Sequence, residues 1–340
     1  MFVECLLCII VYSRVCLSTL SEQFENFSNV TNTTLLPNAE LGMFVPRVIN
    51  GVPAKLGDVP YQVSLKALIS RRRGEYKTFC GATIITETKL VSAAHCFEES
   101  KRSSCHKILF PGTTSSSYFK NKYAVAGNLM NLAKYTADGP DGQWRTMKSA
   151  VFPKKYRFPR DDIAVVVLNY GFVFNSNIGP IPPASRNMDY KGKCLVSGFG
   201  RTGHRKKDIA DRLLLAHLEL IPSSLCSRIH RRRMDKLICT STMLADVGKG
   251  DSGGPLVCAG SGDPNDQGKG VLVGVVSGHS RGRSSFFTRV SRYSKFLKSE
   301  SSPIINKNGI GPMPIYLHLY NAKKYMVISI ILIYETVFPF

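Results

Sequence analysis

Three short segments hold residue types that together can perform acyl transfer. Gly250-Asp-Ser-Gly-Gly-Pro255 sets a serine among glycines, where a backbone without Cβ atoms lets a substrate approach closely. Leu90-Val-Ser-Ala-Ala-His-Cys96 embeds a histidine in small residues, and Asp161-Asp-Ile-Ala-Val165 leads a carboxylate into an apolar run. A serine hydroxyl is a weak nucleophile at neutral pH; it needs an adjacent base, and the base needs an orienting group. Imidazole suits the base because it ordinarily titrates near neutral pH. A buried carboxylate can hold its tautomer and stabilise the imidazolium. A Gly-rich loop containing serine is, taken alone, more often a turn; the weight lies in all three segments together.

In the order His, Asp, Ser, these motifs resemble the trypsin-like (chymotrypsin-fold) serine proteases over about residues 48–300. The resemblance implies His95 as general base, Asp162 as its orienter and Ser252 as nucleophile. Asp162 is preferred to Asp161 because the family's aspartate directly precedes the Ile-Ala pair. The N–H groups of Gly250 and Ser252 would form the oxyanion hole. Arg47-Val-Ile-Asn-Gly51 resembles an activation site. Cleavage after Arg47 would expose Val48, whose ammonium would pair with Asp251. A buried carboxylate without a partner is costly, so the uncut chain is expected to be a zymogen.

Asp246, six residues before Ser252, implies cleavage after Arg or Lys. Ser277-Gly-His279 stands where the family usually reads Ser-Trp-Gly, and Ser285 where the facing wall usually has glycine. A pocket lined by Asp246, Ser277, His279 and Ser285 is therefore expected to be narrowed or reshaped. The resemblance also implies disulfides Cys80–Cys96, Cys194–Cys258 and Cys226–Cys239, which need an oxidising compartment. The family's bridge beside the pocket is missing at both ends: Gly248 occupies one, and no cysteine lies between Ser277 and Thr288. Cys105 has no family partner and sits in an insertion at about residues 100–121.

The elements that must position these residues read as strands. Tyr61–Leu65, Ala82–Ile85, Ile163–Leu168, Cys194–Ser197 and Gly270–Ser277 are short, Val- and Ile-rich, and bounded by Gly, Pro or polar clusters. Val290–Lys298 has the one clear helical period. The expected fold class is all-β: two packed antiparallel six-stranded β-barrels (chymotrypsin-like) with a short C-terminal helix.

The chain has 340 residues, with 45 Lys plus Arg against 24 Asp plus Glu, a formal net charge of +21. A hydrophobic content of 44% excludes a wholly disordered chain. No apolar run reaches the roughly 20 residues of a spanning helix, which excludes a polytopic membrane protein. Residues 1–20 read as a signal peptide. Residues 21–47 read as a propeptide with glycosylation sequons at Asn26, Asn29 and Asn32. The peptidase domain covers 48–300, and 301–340 is an extension of unknown role. Basic clusters at 71–73, 154–160, 204–207 and 230–233 are either a solvated face or a polyanion site. The expected protein is a secreted, extracellular zymogen of a serine endopeptidase, with neither metal nor organic cofactor. Its partners would be protein or peptide substrates, an activating trypsin-like protease, protein inhibitors and a polyanion. The alternative is a non-enzymatic or weakly active homologue that acts as a binding or regulatory protein through an altered pocket.

Overall fold

A computed structural model describes residues 51–301 apart from 99–111, 115, 140–141, 202–207, 243–245 and 281–282. The expected signal, the propeptide with Arg47 and Val48, Cys105, and the tail beyond residue 301 lie outside the described residues.

β-Branched side chains favour a pleated, half-buried surface, and the Val- and Ile-rich runs form strands. The first nine are β1 (Val52–Pro53), β2 (Gln62–Ser70), β3 (Glu75–Thr86), β4 (Lys89–Ser92), β5 (Lys122–Ala126), β6 (Leu132–Lys134), β7 (Asp138–Gly139), β8 (Gly142–Val151) and β9 (Ala164–Leu168). Strands β2, β5, β8, β9, β4 and β3 are neighbours in that order, and β3 returns to β2 to close an antiparallel six-stranded barrel. β6 extends β3 and β7 extends β8.

The second barrel uses β10 (Lys193–Gly198), β11 (Leu214–Ile221), β12 (Leu237–Thr240), β13 (Pro255–Cys258), β14 (Val271–Ser280) and β15 (Ser284–Arg289). Its order is β11, β10, β13, β14, β15, β12, closed by β12 pairing with β11, and β1 adds to the side of β11. Closure pairs the edges that an open sheet would leave exposed. Val63, Leu65, Ile84, Leu90 and Val165 fill the first interior; Val196, Leu256, Val273 and Phe287 fill the second.

Helix α1 (Ser223–His230) was not expected from the sequence. It is eight residues long with Cys226 as its one buried residue, so it leaves no periodic apolar stripe to read. The expected helix at Val290 begins instead as a 3-10 turn through Tyr293 and becomes α2 (Ser294–Ser301). The three expected disulfides form, with Cα–Cα separations of 6.3 Å for Cys80–Cys96, 4.5 Å for Cys194–Cys258 and 5.9 Å for Cys226–Cys239. The last ties α1 to β12. The described end of the insertion packs on the first barrel: Phe119 is buried, and the Tyr118 hydroxyl donates to the Cys96 carbonyl.

Hydrogen bonds join the barrels. Gly81 N–H donates to the Ser252 carbonyl at 2.7 Å, Asn131 N–H to the Asp211 carbonyl at 2.8 Å, and Ser197 Oγ to Gln62 Oε1 at 2.6 Å. Lys66 on β2 is fully buried at 0% exposure. Its ammonium donates to Thr78 Oγ1 (3.1 Å) and to the carbonyls of Met130 (2.6 Å) and Asn131 (2.9 Å).

Candidate active site

Strand pairing brings the histidine to the aspartate. β4 and β9 run antiparallel with Ser92 opposite Ala164. The chain leaves β4 and enters β9 at the same end of the barrel. His95, three residues past Ser92 in a 3-10 turn, therefore meets Asp162, two residues before Ala164. The Cys80–Cys96 bridge holds that turn against β3.

Asp162 has 0% exposure and three donors. His95 N–H reaches Oδ1 at 2.9 Å, His95 Nδ1 reaches Oδ2 at 2.8 Å, and Ser277 Oγ donates to Oδ2 at 2.5 Å. A carboxylate only accepts, so Nδ1 carries its proton toward Asp162 and Nε2 is left as the basic nitrogen. Ser277, expected in the pocket wall, uses its hydroxyl to complete the shell around Asp162. Thr288 Oγ1 adds a 2.7 Å bond to the Asp162 carbonyl.

Asp161 faces elsewhere. It has φ 60° and binds Lys236 Nζ at 2.6 Å, Tyr293 Oη at 2.9 Å and, more loosely, Arg160 at 3.7 Å. Left-handed backbone is unusual outside glycine, and here it turns two adjacent carboxylates to different partners.

Ser252 arrives on the loop before β13, its carbonyl held by Gly81 of β3. Glycine is required next to it: Gly253 has φ +79°, and a Cβ there would lie 2.4 Å from the Gly81 carbonyl and 2.3 Å from Ser92 Oγ. The serine therefore sits against the end of β4 from which His95 projects. No hydrogen bond joins His95 Nε2 to Ser252 Oγ in this structure; such contacts commonly tighten when substrate binds. The N–H groups of Gly250 and Ser252 donate to no group among the described residues, so both remain available to an oxyanion.

Asp246 is 5% exposed and is brought together with two of its expected neighbours. Ser285 Oγ donates to Oδ1, and His279 Nδ1 stands 3.4 Å from Oδ2. Asp251 is 1% exposed, and its carboxylate accepts only the N–H groups of Gly200 (2.7 Å) and Gly248 (2.8 Å) among the described residues. Burial pushes its pKa up to about 6. Gly200 is needed here, since a Cβ on it would fall 2.1 Å from Asp251 Oδ2.

Phe158 was missed by the sequence reading. It is half exposed, and its ring meets the His95 ring edge-on at 5.7 Å between centroids. A lone aromatic in Arg157-Phe-Pro-Arg160 carries no signal of that placement. Two Cys/His groupings, Cys80–His95–Cys96 and Cys226–His230–Cys239, have metal-like spacing. Their sulfurs are spent in disulfides, which leaves no thiolate to bind a metal.

The sequence model of the Trypsin family matches residues 48–297. The chain is similar to Transmembrane protease serine 9 of Rattus norvegicus, at 30% identity over 289 residues, covering 78% of this chain and 24% of that protein. It is similar to Transmembrane protease serine 7 of Homo sapiens at 30% identity, covering 73% and 27%. It is also similar to Trypsin delta of Drosophila erecta at 28% identity, covering 71% and 82%. The chain thus spans about a quarter of the length of the transmembrane proteases it matches. Among the described residues no helix is long and apolar enough to cross a membrane. With two closed six-stranded barrels and a family match over most of its length, the chain belongs to the trypsin family.

Proposed function

We propose that the chain is a secreted zymogen that, once cut after Arg47, hydrolyses peptide bonds following Arg or Lys through an acyl-enzyme on Ser252. The observation that carries this reading is the clamp of three donors on Asp162, which fixes His95 with Nε2 as its basic nitrogen at the end of β4 beside Ser252. In the proposed reaction His95 takes the Ser252 proton as Oγ attacks the scissile carbonyl. The Gly250 and Ser252 N–H groups hold the developing oxyanion. His95 then returns the proton to the leaving amine, and water repeats the sequence on the ester. Asp246 would hold the substrate's basic side chain. The buried Asp251 carboxylate supports the zymogen reading, because a Val48 ammonium would supply the cation it lacks among the described residues. The three disulfides support passage through an oxidising compartment.

The test compares parent and Ser252→Ala chains, both cleaved after Arg47, on amide substrates with arginine, lysine and uncharged residues before the scissile bond. Hydrolysis by the parent alone is expected. Equal turnover by both proteins on every substrate would sink the enzyme reading.

One observation favours the second reading, a weakly active homologue that binds rather than cuts: Asp246 already accepts from Ser285 and faces His279. In that case the cleaved parent would bind peptides without turning them over. A polyanion remains a proposed partner. Lys236 and Arg160 meet at Asp161, and Arg233 and Arg292 meet at Asp235, so basic segments distant in sequence share one side of the molecule. Retention on heparin should weaken steeply with salt, and retention indifferent to salt would count against it.

A further inference from the structure

The acceptor sites of Asp246 are unevenly occupied. Each carboxylate oxygen offers about two lone-pair sites. Oδ1 accepts the Val247 N–H at 2.8 Å and the Ser285 hydroxyl, so it is filled. Among the described residues Oδ2 has one neighbour, His279 Nδ1 at 3.4 Å, a long contact. Ser285 is fully buried on β15, in register opposite His279 on β14, so adjacent strands aim both side chains at one carboxylate. The His279 side chain is 41% exposed, at the solvent side of the carboxylate.

Arginine and lysine ask different things of such a group. A guanidinium binds a carboxylate best through two parallel hydrogen bonds, one to each oxygen. An ammonium is a compact point charge that needs one oxygen. With Oδ1 filled from the strand side, the parallel pair cannot form, whereas Oδ2 can still take an ammonium once His279 swings outward.

We propose that Ser285 and His279 make the primary pocket selective for lysine over arginine, by leaving one oxygen of Asp246 for the substrate. The inference rests on Asp246 being the substrate-binding carboxylate. Ser285 is then a specificity-determining residue, and His279 is a rival donor that the substrate displaces.

The experiment measures kcat/KM on matched lysyl, arginyl and uncharged amide substrates, using the chain cleaved after Arg47 and quantified by active-site titration. The proteins are the parent, Ser285→Gly, Ser285→Ala and Asp246→Asn. The parent should favour lysine by roughly tenfold, the worth of one charge-assisted hydrogen bond. Ser285→Gly should erase that preference by raising activity on arginine. Ser285→Ala, which keeps the β-carbon in the strand, should move the ratio the same way. A parent that prefers arginine, or a lysine-to-arginine ratio unmoved in both Ser285 variants, overturns the proposal. If Asp246→Asn leaves the preference for basic over uncharged substrates intact, the underlying reading of Asp246 fails, and that outcome is distinct from the first.

Discussion

Asp251 offers a direct measure of what the uncleaved chain stores. Its carboxylate lies 1% exposed, held by two backbone N–H groups, with a pKa raised by burial from 3.8 to about 6. A folded-state value above the unfolded one means that the folded chain binds the extra proton. The group's stability contribution is thus complete below about pH 4 and is lost as pH rises through about 6. A shift of about two units corresponds to about 3 kcal/mol.

Asp251→Asn removes the titration. It also places an amide NH2 against one of the two N–H donors, which costs about 1–3 kcal/mol. The net effect at pH 7 is therefore small, and the pH dependence is the diagnostic. The assay is chemical denaturation of the uncleaved, disulfide-intact chain between pH 4 and 7 for parent and variant. Parent stability relative to Asp251→Asn should fall by about 3 kcal/mol across that window, most of it below about pH 6. After cleavage that fall should disappear, since a Val48 ammonium would keep the carboxylate ionised across the window. A parent-minus-variant difference that stays flat in the uncleaved chain would refute the reasoning.

Lys66 titrates in the opposite sense. Burial lowers its pKa from 10.5 to about 7, so the folded state binds fewer protons between those values, and stability should rise with pH across that window. Lys66→Met should flatten the profile in thermal or chemical unfolding, and an unchanged slope would refute the assignment. Asp162→Asn should reduce kcat by roughly 10⁴-fold with the fold intact, because the amide presents the wrong partner to His95 Nδ1; steady-state kinetics with circular dichroism would check it. Ser277→Ala removes one of three donors from the buried Asp162 and should cost about 1–3 kcal/mol of stability in denaturant titration.

The candidate site was legible in the sequence because its residues lie in short contiguous motifs: the small residues around His95, the Asp-Ile-Ala entry to β9 and the glycines around Ser252. Short Val- and Ile-rich runs also marked the strands, since period and side-chain branching are local properties. Helix α1 was not legible, because about two turns held by a disulfide and a single buried residue have no period to read. Long-range pairing decided the rest. The β4–β9 register puts Asp162, and not the adjacent Asp161, under His95, while Lys236 and Tyr293 from the far end of the chain take the other carboxylate. Ser277 was readable as a residue near the pocket, but only the barrel closure shows its hydroxyl turning to Asp162. Sequence alone named Asp246, His279 and Ser285 as neighbours of a pocket. The tertiary structure decided which carboxylate oxygen each one meets, because hydrogen-bond direction depends on strand register and side-chain orientation, which no local pattern encodes.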